Sequence, residues 1–277
     1  MPTYWDNIKF FAVYQFHHMY WRYLLWNFVG RQNDIAGNGE VTHGNWLSGI
    51  PVIDNLRLGD QSLLPDELGK GNKGHNVYYG LPMLLGLLWQ ARTGKTGKRQ
   101  GWVVFMLFFM TGIAIVVYLN QIPGQARERD YSFAASFYAY AIWIGLGVIG
   151  LSRLLYKALC RICSTRRERL ERICSTTAIA TGILVPLQMV SQTWDDHDRS
   201  GRYFCRDYAA NVLNSTDPNT ILLTSGDNIS FPLWYIQDTE GFRSDVRTLN
   251  TDYLASYWHI RQLPFPYFEA PAIEMTA

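Results

Sequence analysis

Residues 131–152 read YSFAASFYAYAIWIGLGVIGLS and contain no Asp, Glu, Lys or Arg. A helix needs about 20 such residues to cross the hydrocarbon core of a bilayer. Two further stretches meet this criterion: residues 101–122 (GWVVFMLFFMTGIAIVVYLNQI) and residues 173–194 (ICSTTAIATGILVPLQMVSQTW). A shorter stretch, residues 77–91, would span only with a kink at Pro82. One stretch alone could be a buried soluble helix, but four in succession predict a polytopic membrane protein.

The loops between these stretches differ in charge, and the difference predicts an orientation. Residues 92–100 contain four Lys or Arg and residues 153–172 contain seven, whereas residues 123–130 hold two arginines and two acids. Short basic loops stay on the cytoplasmic side of a membrane. We therefore expect three parts: an outer region (1–76), a region of four transmembrane helices (77–194) and a second outer region (195–277).

Composition narrows the class of protein further. The chain of 277 residues is 48% hydrophobic and 17% charged, which excludes a disordered chain and a coiled coil. A net charge of +2 gives no reason to expect a nucleic-acid partner. Four cysteines, three of them close together, do not predict a disulfide framework.

The first outer region is predicted to contain one helix and one long loop. Residues 10–29 (FFAVYQFHHMYWRYLLWNFV) mix aromatic side chains with two histidines and Arg22, which favours a helix in the membrane interface. Residues 30–76 are rich in Gly, Asn and Asp and predict a long ordered loop. No apolar signal segment begins the sequence, so we expect a membrane segment upstream of it.

The second outer region predicts a small parallel α/β unit. The runs TILLT (220–224) and DVRTLN (245–250) predict two strands. Helices are expected around them at 201–214, 231–238 and 252–263, with Pro232 in the first turn of the second and Gly241 at its end. Ligands bind at the carboxyl ends of such strands. Two strands are few for a sheet, so we expect an incomplete unit.

The densest polar cluster follows the last apolar stretch. Its members are Asp195, Asp196, His197, Asp198, Arg199 and Arg202. The carboxylates and the imidazole could act as general bases or bind a divalent cation, and the arginines could hold a phosphate in bidentate fashion. The competing interpretation is a solvated linker in which Asp198 or Ser200 caps the next helix. Because no metal-ligand motif is matched, we predict no metal site here.

Two other loops contain candidate binding residues. Arg127 and Arg129 lie between two apolar stretches on the predicted outer side, where they could meet a lipid pyrophosphate headgroup. The alternative for this loop is a salt-bridged turn. Asp227, in the turn after the first predicted strand, could bind a sugar hydroxyl or a metal ion. The alternative there is a Gly-Asp turn that leads into a helix.

Long strings of the sequence resemble a family of bacterial membrane proteins. They are WRYLLWNFVGRQNDIAGNGE (21–40), GNWLSGI (44–50), QARERDYSFAASFYAYAIWIGLG (125–147), WDDHDRSGRY (194–203) and TILLTSGDNISFPLWYIQDTEGFRSDVRTLNTDYL (220–254). The chain resembles the family catalogued as domain of unknown function 2723 and as glycosyltransferase family 117. That family is typical of Bacteroidetes and is similar to the animal transmembrane protein O-mannosyltransferase.

The resemblance implies an α-helical polytopic membrane fold of the GT-C type, present here in part, with a small extracytoplasmic α/β unit. It implies a polyprenyl-phosphate sugar donor, an extracytoplasmic protein acceptor and a multi-pass location in the bacterial inner membrane with a periplasmic C-terminal domain. In such enzymes the catalytic carboxylate usually lies in the first outer loop, which we expect upstream of Met1. Secondary catalytic candidates in this chain are Asp195, Asp196, His197, Asp198 and Asp227. Candidates for binding the donor phosphate are Arg127, Arg129, Arg199 and Arg202.

Three functions therefore remain open at the level of sequence. The first is part of a membrane glycosyltransferase. The second is a non-catalytic, membrane-anchored scaffold whose outer unit binds a glycan or a protein partner. The third is a metal-dependent hydrolase centred on the segment from Asp195 to Asp198.

Overall fold

The computed structural model of the protein describes residues 2–91, 95–124, 127–162 and 166–273. The chain divides into two compact units, Met1–His197 and Asp198–Ala277. The first unit is mainly helical, and the second is a small α/β unit. Residues 92–94 and 163–165, which belong to the two basic loops, lie outside the described ranges.

The first unit begins with a continuous helical segment. It consists of α1 (Tyr4–Phe10), a π-helical stretch (Phe11–Trp21) and α2 (Arg22–Phe28). Thr3 starts it through a capping box: its hydroxyl accepts from the backbone N–H of Asp6, and the Asp6 carboxylate accepts from the backbone N–H of Thr3.

The second half of this segment is enclosed by protein, which corrects the predicted interfacial helix at residues 10–29. Tyr20 and Tyr23 are 1% and 0% exposed. Tyr20 packs edge to face on Phe133, with ring centroids 5.2 Å apart. Around it lie the other buried members of one core: Met19, Leu24, Trp26, Phe28, Val116, Phe137, Tyr140 and Trp143. Aromatic residues that suggested a membrane interface instead fill the core, because each buries a large area against its neighbours.

Three helices are long and apolar enough to cross a membrane, and they confirm the three charge-free stretches as helices. Their bounds are Arg99–Leu119, Asp130–Leu159 and Arg167–His197. The first comprises most of α5 (Lys95–Thr111) and all of α6 (Ile113–Leu119), which meet at Gly112. The second is a 3₁₀ turn (Asp130–Phe133) followed by α7 (Ala134–Leu159), and the third is α8 (Arg167–His197).

The segment 77–91, predicted as a fourth span, does not form a spanning helix. It contains the end of a short strand, α4 (Leu81–Leu87) and a 3₁₀ turn (Leu88–Ala91). Seven residues of α-helix extend only about 10 Å. The segment packs on α7 at two glycines: a Cβ added at Gly147 would lie 1.8 Å from the Leu85 carbonyl oxygen, and one at Gly150 would lie 2.0 Å from that of Leu88.

The loop between α2 and α4 is ordered, as predicted. β1 (Gly30–Arg31) pairs antiparallel with β2 (Asn76–Val77), and α3 (Pro51–Leu58) and a 3₁₀ turn (Gln61–Leu63) lie between them. Asn33, which is fully buried, holds the loop from inside. Its amide donates to the carbonyl oxygens of Thr42 (2.9 Å) and Leu68 (2.7 Å), and its oxygen accepts from the Gly44 N–H (2.8 Å).

The second unit confirms the predicted parallel strand pair. β3 (Ile221–Thr224) pairs in parallel with β4 (Arg247–Asn250), and Ile221 lies opposite Arg247. The helices are α9 (Phe204–Asn214), α10 (Asp227–Glu240) and α11 (Tyr257–Gln262), with a 3₁₀ turn at Thr251–Ala255. The core between α9, α10 and β4 is formed by Ala209, Leu213, Leu233, Ile236 and Val246.

Two details of the predicted helices are corrected. α10 begins at Asp227, so Pro232 lies inside the helix and not in its first turn. Gly241 does end this helix in a left-handed conformation, with φ of 63°. The segment 252–263 is not one helix, because the 3₁₀ turn ends at Ala255 and α11 begins only at Tyr257.

Candidate functional site

The loop between α6 and α7 carries Arg127, Glu128 and Arg129, and the middle residue reaches back to α2. Glu128 accepts two parallel hydrogen bonds from Arg22: Nη2 to Oε2 at 2.8 Å and Nη1 to Oε1 at 3.2 Å. Such bidentate pairs are the strong ones. The two side chains are 5% and 15% exposed, so the ion pair is buried.

Two further donors complete the environment of Glu128. The Tyr23 hydroxyl donates to Oε2, and the Gly37 N–H donates to Oε1 at 3.2 Å. Burial alone would raise the pKa of Glu128, but the Arg22 charge and these hydrogen bonds outweigh it and hold the pKa below its usual value. Burial, together with the bond to Glu128, raises the pKa of Tyr23. The carboxylate is therefore ionised at neutral pH, and Tyr23 acts as its donor.

Each nitrogen of the Arg22 guanidinium group has a hydrogen-bond acceptor. Its Nε donates to the His18 carbonyl oxygen (3.0 Å), and Nη1 also donates to that of Gly44 (2.9 Å). The guanidinium carbon lies 4.7 Å from the centroid of the Trp26 ring and 4.8 Å from that of Tyr23. A buried ion pair must offset a desolvation cost of several kcal/mol per ion. Here the hydrogen bonds of Arg22 and Glu128 offset that cost. The same bonds join α2, the Gly37–Gly44 segment and the Glu128 loop.

The two flanking arginines have other surroundings than Arg22. Arg127 is exposed and lines a cavity of about 20 Å³, enough for one water, together with His18, Asn38 and Glu128. Arg129 is half-buried: its Nη1 donates to the Tyr131 hydroxyl at 3.1 Å, and its backbone N–H donates to the Tyr23 hydroxyl at 3.2 Å.

The arrangement fixes the backbone of the loop and leaves its positive charge at the surface. Because Arg22 neutralises Glu128, the other charges of the loop are those of Arg127, which is exposed, and of Arg129 and Asp130, which are half-buried. The alternative of a salt-bridged turn stays open, and the carboxylate of Glu128 pairs with Arg22, 106 positions earlier in the sequence. A surface with two arginines on a fixed loop can bind an anionic group such as a phosphate.

The predicted cluster that follows the last span is divided at the boundary between the two units. Asp195, Asp196 and His197 form the last turn of α8, where the His197 ring bonds the Thr193 carbonyl oxygen at 2.9 Å. Asp196 is half-buried. Burial raises the pKa of Tyr78 to about 12, and the nearby Asp196 carboxylate adds to that rise.

The other members of the cluster belong to the second unit. Asp198 accepts from the Ser200 N–H at 2.9 Å, and Arg199 and Arg202 are exposed on the same turn. The predicted cap is corrected, because α9 begins after Tyr203, which makes no side-chain cap. Within the described residues, no group of three or more His, Cys, Asp or Glu side chains is placed to hold a metal ion.

Asp227 lies where the strand order predicted a ligand site, at the carboxyl ends of the parallel strands. Its carboxylate accepts from the Tyr253 hydroxyl at 2.8 Å. Beside it, Asp252 accepts from the Ser225 hydroxyl (3.1 Å) and the Gly226 N–H (2.6 Å). Both carboxylates therefore hold the turns that follow β3 and β4, which agrees with the alternative of a turn leading into α10.

Comparison with known proteins bears on the second unit. Residues 205–277 match the family described as TMEM260-associated domain 2. No curated protein and no solved structure matches the chain. The matched residues start at the second residue of α9 and include β3, α10, β4 and α11.

Several residues of these sites could not be found from the sequence. Arg22, Tyr23 and Gly37 complete the environment of Glu128 but lie 91 to 106 positions away from it. A charge inside an otherwise apolar, aromatic helix was the one available signal for Arg22. In the second unit, Asp252 had a signal, because it follows the second strand as Asp227 follows the first.

Proposed function

We propose that the protein is part of a membrane glycosyltransferase that moves a sugar from a polyprenyl-phosphate donor to an extracytoplasmic protein. The match of residues 205–277 to TMEM260-associated domain 2 supports this proposal most, since that family is linked to protein O-mannosyl transfer. Three helices of spanning length in the same chain agree with a multi-pass membrane protein. We further propose that they belong to a GT-C fold in a bacterial inner membrane, with the second unit in the periplasm.

The loop of Arg127 and Arg129 is our candidate for holding the donor phosphate. The Arg22–Glu128 ion pair fixes this loop, so its arginines need little further ordering to bind an anion. The positive-inside rule supports an outer position, because the loops on either side of it in the sequence are the strongly basic ones. Arg199 and Arg202 stay further candidates for the same role.

An apolar groove of about 650 Å³ supports a lipid-linked donor. It lies beside α8 and is lined mainly by leucines: Leu81, Leu84, Leu88, Leu151, Leu184 and Leu187. Apolar lining of this kind suits an isoprenoid chain. The catalytic base stays a prediction, with Asp195, Asp196, His197, Asp198 and Asp227 as candidates in this chain.

The test is donor binding by the full chain in lipid nanodiscs. Titration with a polyprenyl-phosphate hexose should give a dissociation constant that rises roughly tenfold in Arg127→Ala and in Arg129→Ala, which corresponds to about 1.4 kcal/mol. Arg169→Ala is the matched control, because Arg169 is an exposed arginine at the start of α8. Wild-type affinity in both loop variants would refute the assignment of the phosphate to this loop.

A second function keeps a specific observation in its favour. A membrane-anchored module that binds a glycan or partner without transferring sugar would use a cavity in the second unit, where buried nitrogens of Arg247 and His259 have no hydrogen-bond partner within the described residues. A transfer assay separates the two functions, because only the glycosyltransferase would label an acceptor protein from the lipid-linked sugar.

A further inference from the structure

The second unit contains a cavity between α10, β4 and α11. Its volume is about 150 Å³, a size known to hold a six-membered ring. Residues of three elements and of the following segment line it: Trp234, Arg247, Trp258, His259, Gln262 and Tyr267. All of them belong to the part of the chain that matches TMEM260-associated domain 2.

Two basic side chains in this cavity have buried nitrogen atoms without a hydrogen-bond partner within the described residues. Arg247 and His259 are each 5% exposed, yet Nη1 of Arg247 and both ring nitrogens of His259 are unpartnered. The other Arg247 terminal nitrogen, Nη2, donates to the Gln262 carbonyl oxygen at 3.0 Å. An unsatisfied buried polar group is costly, and in native proteins it usually has an explanation. A bound polar molecule is such an explanation.

Aromatic side chains form the walls and the entrance. Trp234 and Tyr267 are half-buried, and the exposed Trp258 joins the cavity to an open groove of about 640 Å³. The groove adds Tyr257 and Phe265, which are 77% and 64% exposed. The electron-rich faces of these rings can stack on the C–H face of a sugar ring. Apolar walls with few convergent polar groups are typical of small-molecule sites.

The polar groups favour hydroxyls over an anion. Arg247 supplies donors only, and a neutral His259 supplies one donor and one acceptor. Burial and the nearby charge of Arg247 lower the pKa of His259, which keeps the ring neutral. The carboxylate of Asp238 also lines the cavity and accepts from the Tyr267 hydroxyl. Arg247 would attract a phosphate or carboxylate and Asp238 would repel it, whereas a neutral hydroxyl can accept from Arg247 and donate to His259 or Asp238.

We propose that this cavity binds one neutral hexopyranose unit of a glycan, with Arg247 and His259 bonding its hydroxyls and Trp258 stacking on its ring. Residues of the second unit alone form this cavity, and its binding of a glycan does not rest on sugar transfer by the helical unit. Failure of either proposal therefore leaves the other open to its own test.

The test is titration of the full chain in nanodiscs with methyl α-mannoside, methyl β-glucoside and glucuronate, followed by saturation-transfer NMR. We expect the two neutral glycosides to bind and glucuronate to bind more weakly. Arg247→Met, His259→Phe and Trp258→Ala should each raise the dissociation constant roughly tenfold or more, about 1.4 kcal/mol. Arg206→Met is the matched control, because Arg206 is on α9 and pairs with Glu240.

A variant that does not fold is recognised by its unfolding curve and is replaced by His259→Gln, which keeps a donor and an acceptor. That variant should retain more affinity than His259→Phe. The proposal is overturned if neither glycoside binds to the folded protein. It is also overturned if Arg247→Met and His259→Phe bind like the wild type, or if glucuronate alone binds, which would indicate an anion site.

Discussion

Arg22 and Arg247 are buried to the same degree, at 4% and 5% exposure, and both lie on aromatic rings. Their surroundings differ in one respect. Arg22 has a carboxylate partner and two backbone carbonyl partners, so its charge is matched and each of its three nitrogens has an acceptor. Arg247 has one carbonyl partner, and in the described part of the chain its Nη1 has none.

This difference separates a structural role from a binding role for the same residue type. A buried charge whose partners all belong to the protein joins segments together and gains nothing from a ligand. A buried charge with an open donor beside a cavity gains when a ligand supplies the missing acceptor. The comparison therefore assigns the Arg22–Glu128 pair to holding a loop, and Arg247 to contact with a bound molecule.

The largest expected effect comes from breaking the matched pair. Glu128→Gln removes the countercharge and leaves Arg22 buried without it, which should lower the free energy of unfolding by about 3–5 kcal/mol. The loss should be seen as a lower midpoint when the full chain in detergent micelles is unfolded with denaturant. A change below about 1 kcal/mol would mean that the pair is solvated and that Arg22 resembles Arg247.

A double variant serves as the control for this prediction. Replacing both members by apolar residues, Arg22→Met with Glu128→Leu, removes the buried charges together and is often close to neutral for stability. We therefore expect the double variant to recover most of the loss. If it is as unstable as Glu128→Gln, the loss arises from packing or from the bonds to Tyr23 and Gly37.

In the second unit, we expect that substitution of Arg247 does not lower stability and can raise it. Arg247→Met removes an unmatched buried donor and replaces it with an apolar side chain of similar length. We expect hydrogen exchange of the β4 and α11 amides to slow or to stay within about 1 kcal/mol of the wild type, measured without glycan. A loss comparable to that of Glu128→Gln would show that the internal contacts of Arg247 stabilise the fold as strongly as the Arg22–Glu128 pair, and the contrast between the two arginines would disappear.

The sequence was sufficient where structure follows from local pattern. Stretches without charge over about 20 residues predicted the three long helices, and the runs at 220–224 and 245–250 predicted the parallel strands. Gly241 marked the end of a helix because only a left-handed residue continues the chain there.

The sequence was insufficient where distant residues meet. The charge of Arg22 suggested a polar helix face. Its partner Glu128 lies 106 positions away in the sequence, so no local pattern indicated the buried pair. The segment 77–91 has the composition of a span, but its length and Pro82 cannot reveal that it packs against Gly147 and Gly150. The cavity of the second unit needs α10, β4 and α11 together, so none of its residues formed a motif.

The smallest expected effect is a pH dependence that distinguishes the histidines of the two regions from the ion pair. The pKa of His18 and the pKa of His259 are both lowered, and burial is the largest cause in each case. At acidic pH the folded state then binds fewer protons than the unfolded state. The resulting loss of folding stability is absent above the usual histidine pKa of about 6.5 and grows as the pH falls below it. Glu128 has a lowered pKa, so its contribution is lost only on acidification below about 4.5.

Hydrogen exchange of α2 and α11 between pH 7.5 and 5.5, corrected for intrinsic rates, should therefore report the histidines alone. Both helices should lose protection on acidification, by less than either substitution causes. His18→Gln and His259→Gln should each abolish the loss in their own region and leave it unchanged in the other. Because the His18 ring bonds the Gly37 carbonyl oxygen at 3.1 Å and His259 has no such partner in the described residues, a bound glycoside should protect α11 and leave α2 unaffected. Equal protection of both helices by the glycoside would contradict the assignment of the open donors to a ligand.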